Sequence, residues 1–190
     1  VMTGMSPAAQ GYAEGAVTRT LKSLDSKGRP PLEAGLVMTD VHNGDVIAVV
    51  GSRELTVQGF NRAVDAKRPV GSLLKPFVYL LALAQPDKWS LASTISDGPV
   101  TVSLGRARTW KPGNSDGRSH GTVRLLDALA QSYNQATVRL GMDVQPGRLA
   151  SLIRTLAGIE SEGQPSLILG AVDQSPYAMA QLYQFLASGG

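Results

Sequence analysis

Stretches of helical and of extended apolar spacing follow one another along this chain. Between Pro7 and Leu24, the residues Ala9, Tyr12, Ala16, Val17, Leu21 and Leu24 recur near one helical face. They predict an amphipathic helix that starts at Ser6-Pro7 and is broken by Ser26 to Pro31. Gly35 to Val41 and Val46 to Gly51 then predict two strands. His42-Asn43-Gly44-Asp45 between them predicts a hairpin turn, with Asn-Gly supplying the positive φ angles. Both strands are continuously apolar, which predicts burial on both faces under helices. Residues 52–69 form a polar connection that contains Gly59-Phe60-Asn61-Arg62-Ala63.

The next apolar run, Val78 to Ala84, is rich in Leu and Ala and predicts a buried helix. Ser72 falls at its N-terminus, where serine is favoured, and Lys75 lies about one turn on. Trp89 to Gly121 is loop-rich, with short strand-like pieces around Val100-Thr101-Val102 and turn chemistry from Trp110 to Gly117. Helix resumes over Val123 to Ala130 and again over Ala136 to Leu140. Ser132 and Asn134 fall in the short connection between these two. Leu149 to Leu156 predicts a helix stopped by Gly158, and Ser175-Pro176 starts one that ends at Ser188-Gly189.

Composition narrows the classes. A chain of 190 residues suits one domain with a real core. Its 18 Lys+Arg against 15 Asp+Glu leave a mild net charge of +3, without a basic stripe interleaved with aromatics. Nucleic acid is therefore not the expected partner. The absence of cysteine excludes thiolate zinc sites and disulfides, and no spaced ligand set predicts a metal or other cofactor. No run reaches transmembrane length and no signal peptide opens the chain. The opening Val-Met-Thr-Gly and the closing Ser-Gly-Gly suggest a fragment of something longer.

Two short motifs carry chemistry. A serine hydroxyl needs a base to become a nucleophile. Lys75 is that base only if burial pulls its amine from about 10.4 towards roughly 7–8. An apolar helix start, with the positive end of the macrodipole, is a place where this happens. The same dipole and the Ser72 N–H would stabilise an oxyanion. Ser72-x-x-Lys75 is the only Ser-x-x-Lys in the chain, and Ser132-x-Asn134 the only Ser-x-Asn. Either alone is an ordinary cap or loop. Together, in this order, they match serine acyl-transfer enzymes that use lysine. His42, in the hairpin turn, and His120, in a Gly/Ser loop, both read as solvated rather than as parts of a triad.

With these motifs the chain resembles the penicillin-binding transpeptidase domain, of the class A, bifunctional, high-molecular-weight, 1B type. The resemblance includes Thr3 to Gln10, Phe60-Asn61-Arg62-Ala63, Gly71 to Pro76, Ser132-Tyr133-Asn134, Ser175 to Ala180 and Phe185 to Gly190. It implies an α+β fold of the β-lactamase/transpeptidase kind, an α/β sandwich in which an antiparallel sheet is flanked by helices beside an all-helical subregion. Residues 1–34 would be a preceding helix and linker, and 35–190 the front part of the domain.

It also implies roles. Ser72 would attack the D-Ala-D-Ala amide of a peptidoglycan stem peptide and form an acyl-enzyme, with Lys75 accepting its proton. Ser132 would relay a proton to the leaving amine, and Asn134 would bind the substrate and hold Lys75. A neighbouring stem-peptide amine would resolve the ester into a crosslink, and β-lactams would stall at Ser72. The implied location is the periplasmic side of the bacterial inner membrane, with any anchor or glycosyltransferase domain upstream. One departure stands out: the family's Lys-Thr/Ser-Gly strand is absent. Lys111-Pro112-Gly113 and Ser119-His120-Gly121 only mimic it, and both precede Ser132. The remainder of the domain is then expected outside this sequence, on another chain or missing. The alternatives are a β-lactamase or a non-catalytic β-lactam sensor of the same fold.

Overall fold

The computed structural model describes residues 3–54, 59–105 and 107–190. Residues 55–58 of the expected polar connection, and residue 106 of the loop-rich stretch, lie outside them. In chain order the helices are α1 (Pro7–Leu24), α2 (Lys75–Leu83), α3 (Leu125–Ala130), α4 (Asn134–Asp143), α5 (Pro146–Ala157) and α6 (Pro176–Ser188). The strands include β1 (Leu36–Thr39), β2 (Val46–Val50), β3 (Thr94–Ser96), β4 (Val102–Ser103), β5 (Thr109–Trp110) and β6 (Thr122–Arg124). The chain forms two compact units. One holds the residues up to Arg68 with Leu156–Gly158 and Asp173–Gly190; the other holds Pro69–Thr155 and Ile159–Val172.

The first unit is built on the expected hairpin. β1 and β2 pair antiparallel, with Leu36 opposite Val50 and Met38 opposite Ala48. Ala13, Val17 and Leu21 of α1 pack on Ala48 and Val50. On β1, Thr39 Oγ1 donates to Gln184 Oε1 of α6 at 2.8 Å. Helices thus lie against the hairpin, but the burial expected on both faces is not reached: Ala48 and Val50 of β2 are buried, whereas no residue of β1 is and Met38 is exposed. The turn is wider than a two-residue Asn-Gly turn. Asp40 N–H bonds Asp45 O at 2.8 Å and Gly44 N–H bonds Asp40 O at 2.9 Å. Among its residues only Gly44, at φ 75°, takes the left-handed region. Asn43 instead uses its side chain, accepting from Asp45 N–H at 2.9 Å.

The boundaries of α1 match the pattern, with Ser6 Oγ accepting from Ala9 N–H at 3.3 Å as the cap. Its buried face matches in part: Ala9, Val17 and Leu21 lie on it as expected, and Tyr12 and Leu24 do not. Tyr12 is 78% and Leu24 56% exposed, whereas Ala13 is buried. The i, i+4 row Ala9-Ala13-Val17-Leu21 faces the hairpin, because small residues let the helix lie close to Ala48. The Phe60 to Ala63 segment is held by backbone: Arg62 N–H donates to Gly51 O at 3.0 Å and Tyr177 N–H to Ala63 O at 2.9 Å.

The second unit is largely helical. Phe77, Val78, Tyr79 and Ala82 of α2 are buried, as are Ala136, Thr137, Val138 and Leu140 of α4. The helix expected from Val123 begins later, at Leu125. Thr122 to Arg124 form β6 instead, paired with β3. The β-branched Thr122 and Val123 gain a ladder partner there, which overrides their helical spacing. The strand around Val102 is present and pairs with Thr109-Trp110.

Candidate active site

The segment before α2 is a 3₁₀ turn, Gly71–Leu74, and the α-helix proper starts at Lys75. This corrects the expectation that Ser72 caps the helix: the cap position is Leu74, which makes no side-chain cap bond. Ser72 is exposed, and neither the 3₁₀ turn nor α2 is opened by a side-chain cap bond. The turn is seated on residues 170–172. Gly71 N–H donates to Gly170 O at 3.1 Å, and Val70 N–H to Val172 O at 3.0 Å. Gly170 has φ 74°, and a Cβ there would run into the backbone of Gly71.

Lys75 is only 1% exposed, among the most buried side chains of the chain. Its Nζ donates to Ser132 O at 2.6 Å, Ser132 Oγ at 2.9 Å and Asn134 Oδ1 at 2.6 Å. The structure therefore brings Lys75, Ser132 and Asn134 to one point, although 57 and 59 residues separate them in sequence. Burial pulls the amine down from 10.5 to about 8, with the charge of Asp97 pulling the other way. An amine with its pKa lowered this far can lose its proton close to neutral pH, as a general base must. When it is neutral, the Ser132 hydroxyl can reverse its bond and donate, since a hydroxyl serves both roles.

Ser132 is in the left-handed region, at φ 57°, a costly place for a side chain with a Cβ. That conformation aims both its carbonyl and its hydroxyl at Nζ. Asn134 is the first residue of α4 rather than a loop residue. Its Nδ2 donates to Gly113 O at 2.8 Å while Oδ1 accepts from Lys75. This pattern orients the amide with its second N–H left for another acceptor.

A further layer lies behind. Asn114 Oδ1 accepts from Asn134 N–H at 2.7 Å and Gln135 N–H at 3.2 Å. Its Nδ2 donates to Asp97 Oδ2 at 2.6 Å. His120, expected to be solvated, is not: Nδ1 lies 2.7 Å from Asp97 and Nε2 3.1 Å from Asp116. Its ring stacks on Tyr133, with centroids 4.0 Å apart. Asp97, Gly113, Asn114 and His120 were not identifiable from spacing. Only the dense turn chemistry of residues 110–117 signalled that this loop is shaped for something.

The penicillin binding protein transpeptidase domain model matches residues 34–190. Penicillin-binding protein 1B of Vibrio cholerae is 38% identical over 192 residues, which is 100% of this chain and 25% of the relative. Its Escherichia coli K12 counterpart is 36% identical over 197 residues, 100% of this chain and 23% of the relative. Among solved structures, penicillin-binding protein PonA1 of Mycobacterium tuberculosis aligns at TM-score 0.82 and 28% identity. That alignment covers 100% of this chain and 50% of PonA1. PonA1 in complex with penicillin V aligns at TM-score 0.80 and 28% identity, over 100% of this chain and 51% of that one. The chain thus spans about a quarter of the length of these curated relatives. The α+β fold expected from the motifs is the fold of these neighbours. By family model, by identity and by fold, the chain belongs to the penicillin-binding protein transpeptidase domain family.

Proposed function

We propose that this chain carries the nucleophile, base and proton relay of a serine D-Ala-D-Ala transpeptidase. Residues 35–190 belong to the catalytic domain and 1–34 lead into it. The observation that carries this reading is the buried Lys75 amine, lowered to about 8 and bonded at once by Ser132 and Asn134. Ser72 Oγ attacks the carbonyl carbon of the D-Ala-D-Ala amide while its proton passes to Lys75. The tetrahedral intermediate collapses, the C–N bond breaks, and the proton travels through Ser132 to the departing D-Ala amine. An ester on Ser72 remains. The amine of a second stem peptide then attacks it, forming the crosslink and returning the proton to Ser72 through the same groups. Asn134 holds Lys75 and offers its remaining N–H to the substrate amide.

A β-lactam enters the same path. Its ring amide opens on Ser72, but the leaving nitrogen stays tethered and no free D-Ala departs. The protein acts on the periplasmic side of the bacterial inner membrane, where stem peptides and β-lactams are met.

Mass spectrometry of the intact protein after exposure to a fluorescent penicillin tests the reading. A single stable adduct on the peptide containing Ser72 is expected, together with its loss in Ser72→Ala. An adduct that persists in Ser72→Ala removes the nucleophile assignment. Rapid turnover with release of penicilloate makes the protein a β-lactamase instead.

A further inference from the structure

We propose that Asp97 is a positioning residue for the Ser132-Tyr133-Asn134 segment, acting through Asn114, His120 and the N–H of Ala136. The inference rests on the transpeptidase reading above and deepens it.

Asp97 is a carboxylate with 0% exposure, and burying a charge is costly unless it is fully bonded. It is fully bonded. Oδ2 accepts from Asn114 Nδ2 at 2.6 Å, from His120 N–H at 3.1 Å and from His120 Nδ1 at 2.7 Å. Oδ1 accepts from Ala136 N–H at 3.0 Å in the first turn of α4. Every one of these arms ends on the catalytic segment. Asn114 passes on to the N–H groups of Asn134 and Gln135. His120 carries its ring onto Tyr133, the residue between Ser132 and Asn134. Ala136 fixes the start of the helix that Asn134 opens.

The segment needs such a hold. Ser132 is strained at φ 57°, and Tyr133 makes no side-chain cap bond at the start of α4. Donors face both oxygens, three on Oδ2 and the Ala136 N–H on Oδ1, so the carboxylate cannot be exchanged for its amide without setting an NH2 group against at least one of them. Asp97 also acts on Lys75 through space. Its charge favours the ammonium, second to the opposing effect of burial. Other charged or titratable groups around this pair are Tyr79 from α2, His120 with Asp116 behind it, and Arg139 of α4, which donates to the carbonyls of Ser96 and Gly98 on either side of Asp97.

The test is the pH dependence of the penicillin acylation rate constant in the intact protein carrying Asp97→Asn. Acylation about tenfold slower is expected, with initial noncovalent binding little changed. The acidic limb of the profile should move to lower pH, because the charge that favours the ammonium is gone. Backbone amides of residues 134–136 should exchange hydrogen faster. A simple loss of folded protein would lower the fraction that forms adduct without moving the limb. His120→Phe keeps a ring over Tyr133 but loses both carboxylate bonds, and decides the matter should Asp97→Asn fail to fold. It should slow acylation several-fold. A folded Asp97→Asn with the unsubstituted rate and limb, or a His120→Phe with the unsubstituted rate, overturns the inference. No adduct on Ser72 in the unsubstituted protein would instead overturn the reading of the site, and this inference with it.

Discussion

Asn134 Oδ1 lies 2.6 Å from Lys75 Nζ, while the same amide donates from its other end to Gly113 O. A neutral acceptor therefore steadies the lysine without adding a charge that would hold its proton. An aspartate would bond the ammonium more strongly and hold the proton on Lys75.

Asn134→Asp checks this. An anion at that distance raises the lysine pKa by about one unit or more. The acidic limb of the acylation profile should move up in pH by as much, with slower acylation at neutral pH. A limb that stays in place would show that Asn134 does not set the state of Lys75.

The unsubstituted protein should itself show a lysine-controlled profile. With Lys75 at about 8, the acylation rate should fall about tenfold per unit below that pH. Stability follows with its own sign. The folded pKa lies below the ordinary 10.5, so between about 8 and 10.5 the unfolded chain binds more protons. Stability from this group therefore rises across that window. Below it the buried ammonium costs roughly 3 kcal/mol, and above it the cost is gone. Denaturant titrations at pH below and above the window, compared with Lys75→Met, measure the difference.

Ser132 separates strain from chemistry. Ser132→Ala and Ser132→Gly both delete the hydroxyl that meets Lys75, and both should slow acylation about a hundredfold. Only the glycine accepts φ 57° without cost. The glycine variant should be the more stable of the two by about 1 kcal/mol in urea unfolding. Equal stabilities would mean that the backbone there relaxes.

Gly170→Ala should injure the site from a distance. Its Cβ meets the Gly71 backbone, which carries the Ser72 turn. A loss of about 1–3 kcal/mol is expected, with slower acylation although Ser72 is untouched. Unchanged kinetics would show that the turn does not depend on this seat.

Local chemistry is legible in the sequence where the chain decides for itself. Ser6-Pro7 and Ser175-Pro176 open α1 and α6 as expected, since a serine cap and a proline at the first position act within one turn. Ser72, Lys75, Ser132 and Asn134 are legible as two motifs, because each spacing is short. The fold departs from local preference where a partner remote in sequence outbids it. Val123 joins a strand because Ile95 lies opposite it. Ala13 replaces Tyr12 on the buried face of α1 because Ala48 is there to receive it. His120 reads as solvated because nothing near it in sequence forecasts Asp97, 23 residues earlier.

The amino-acid order alone therefore settled the starts of α1 and α6, the pairing of the hairpin strands and the identities of the proposed reacting groups, all governed by interactions within a few residues. Tertiary structure decided that Lys75 is buried, that three acceptors surround its amine, and that Asp97 stands behind the segment that supplies them. Those features arise from contacts across 17 to 59 residues, and a pKa is set by such surroundings rather than by the residue itself.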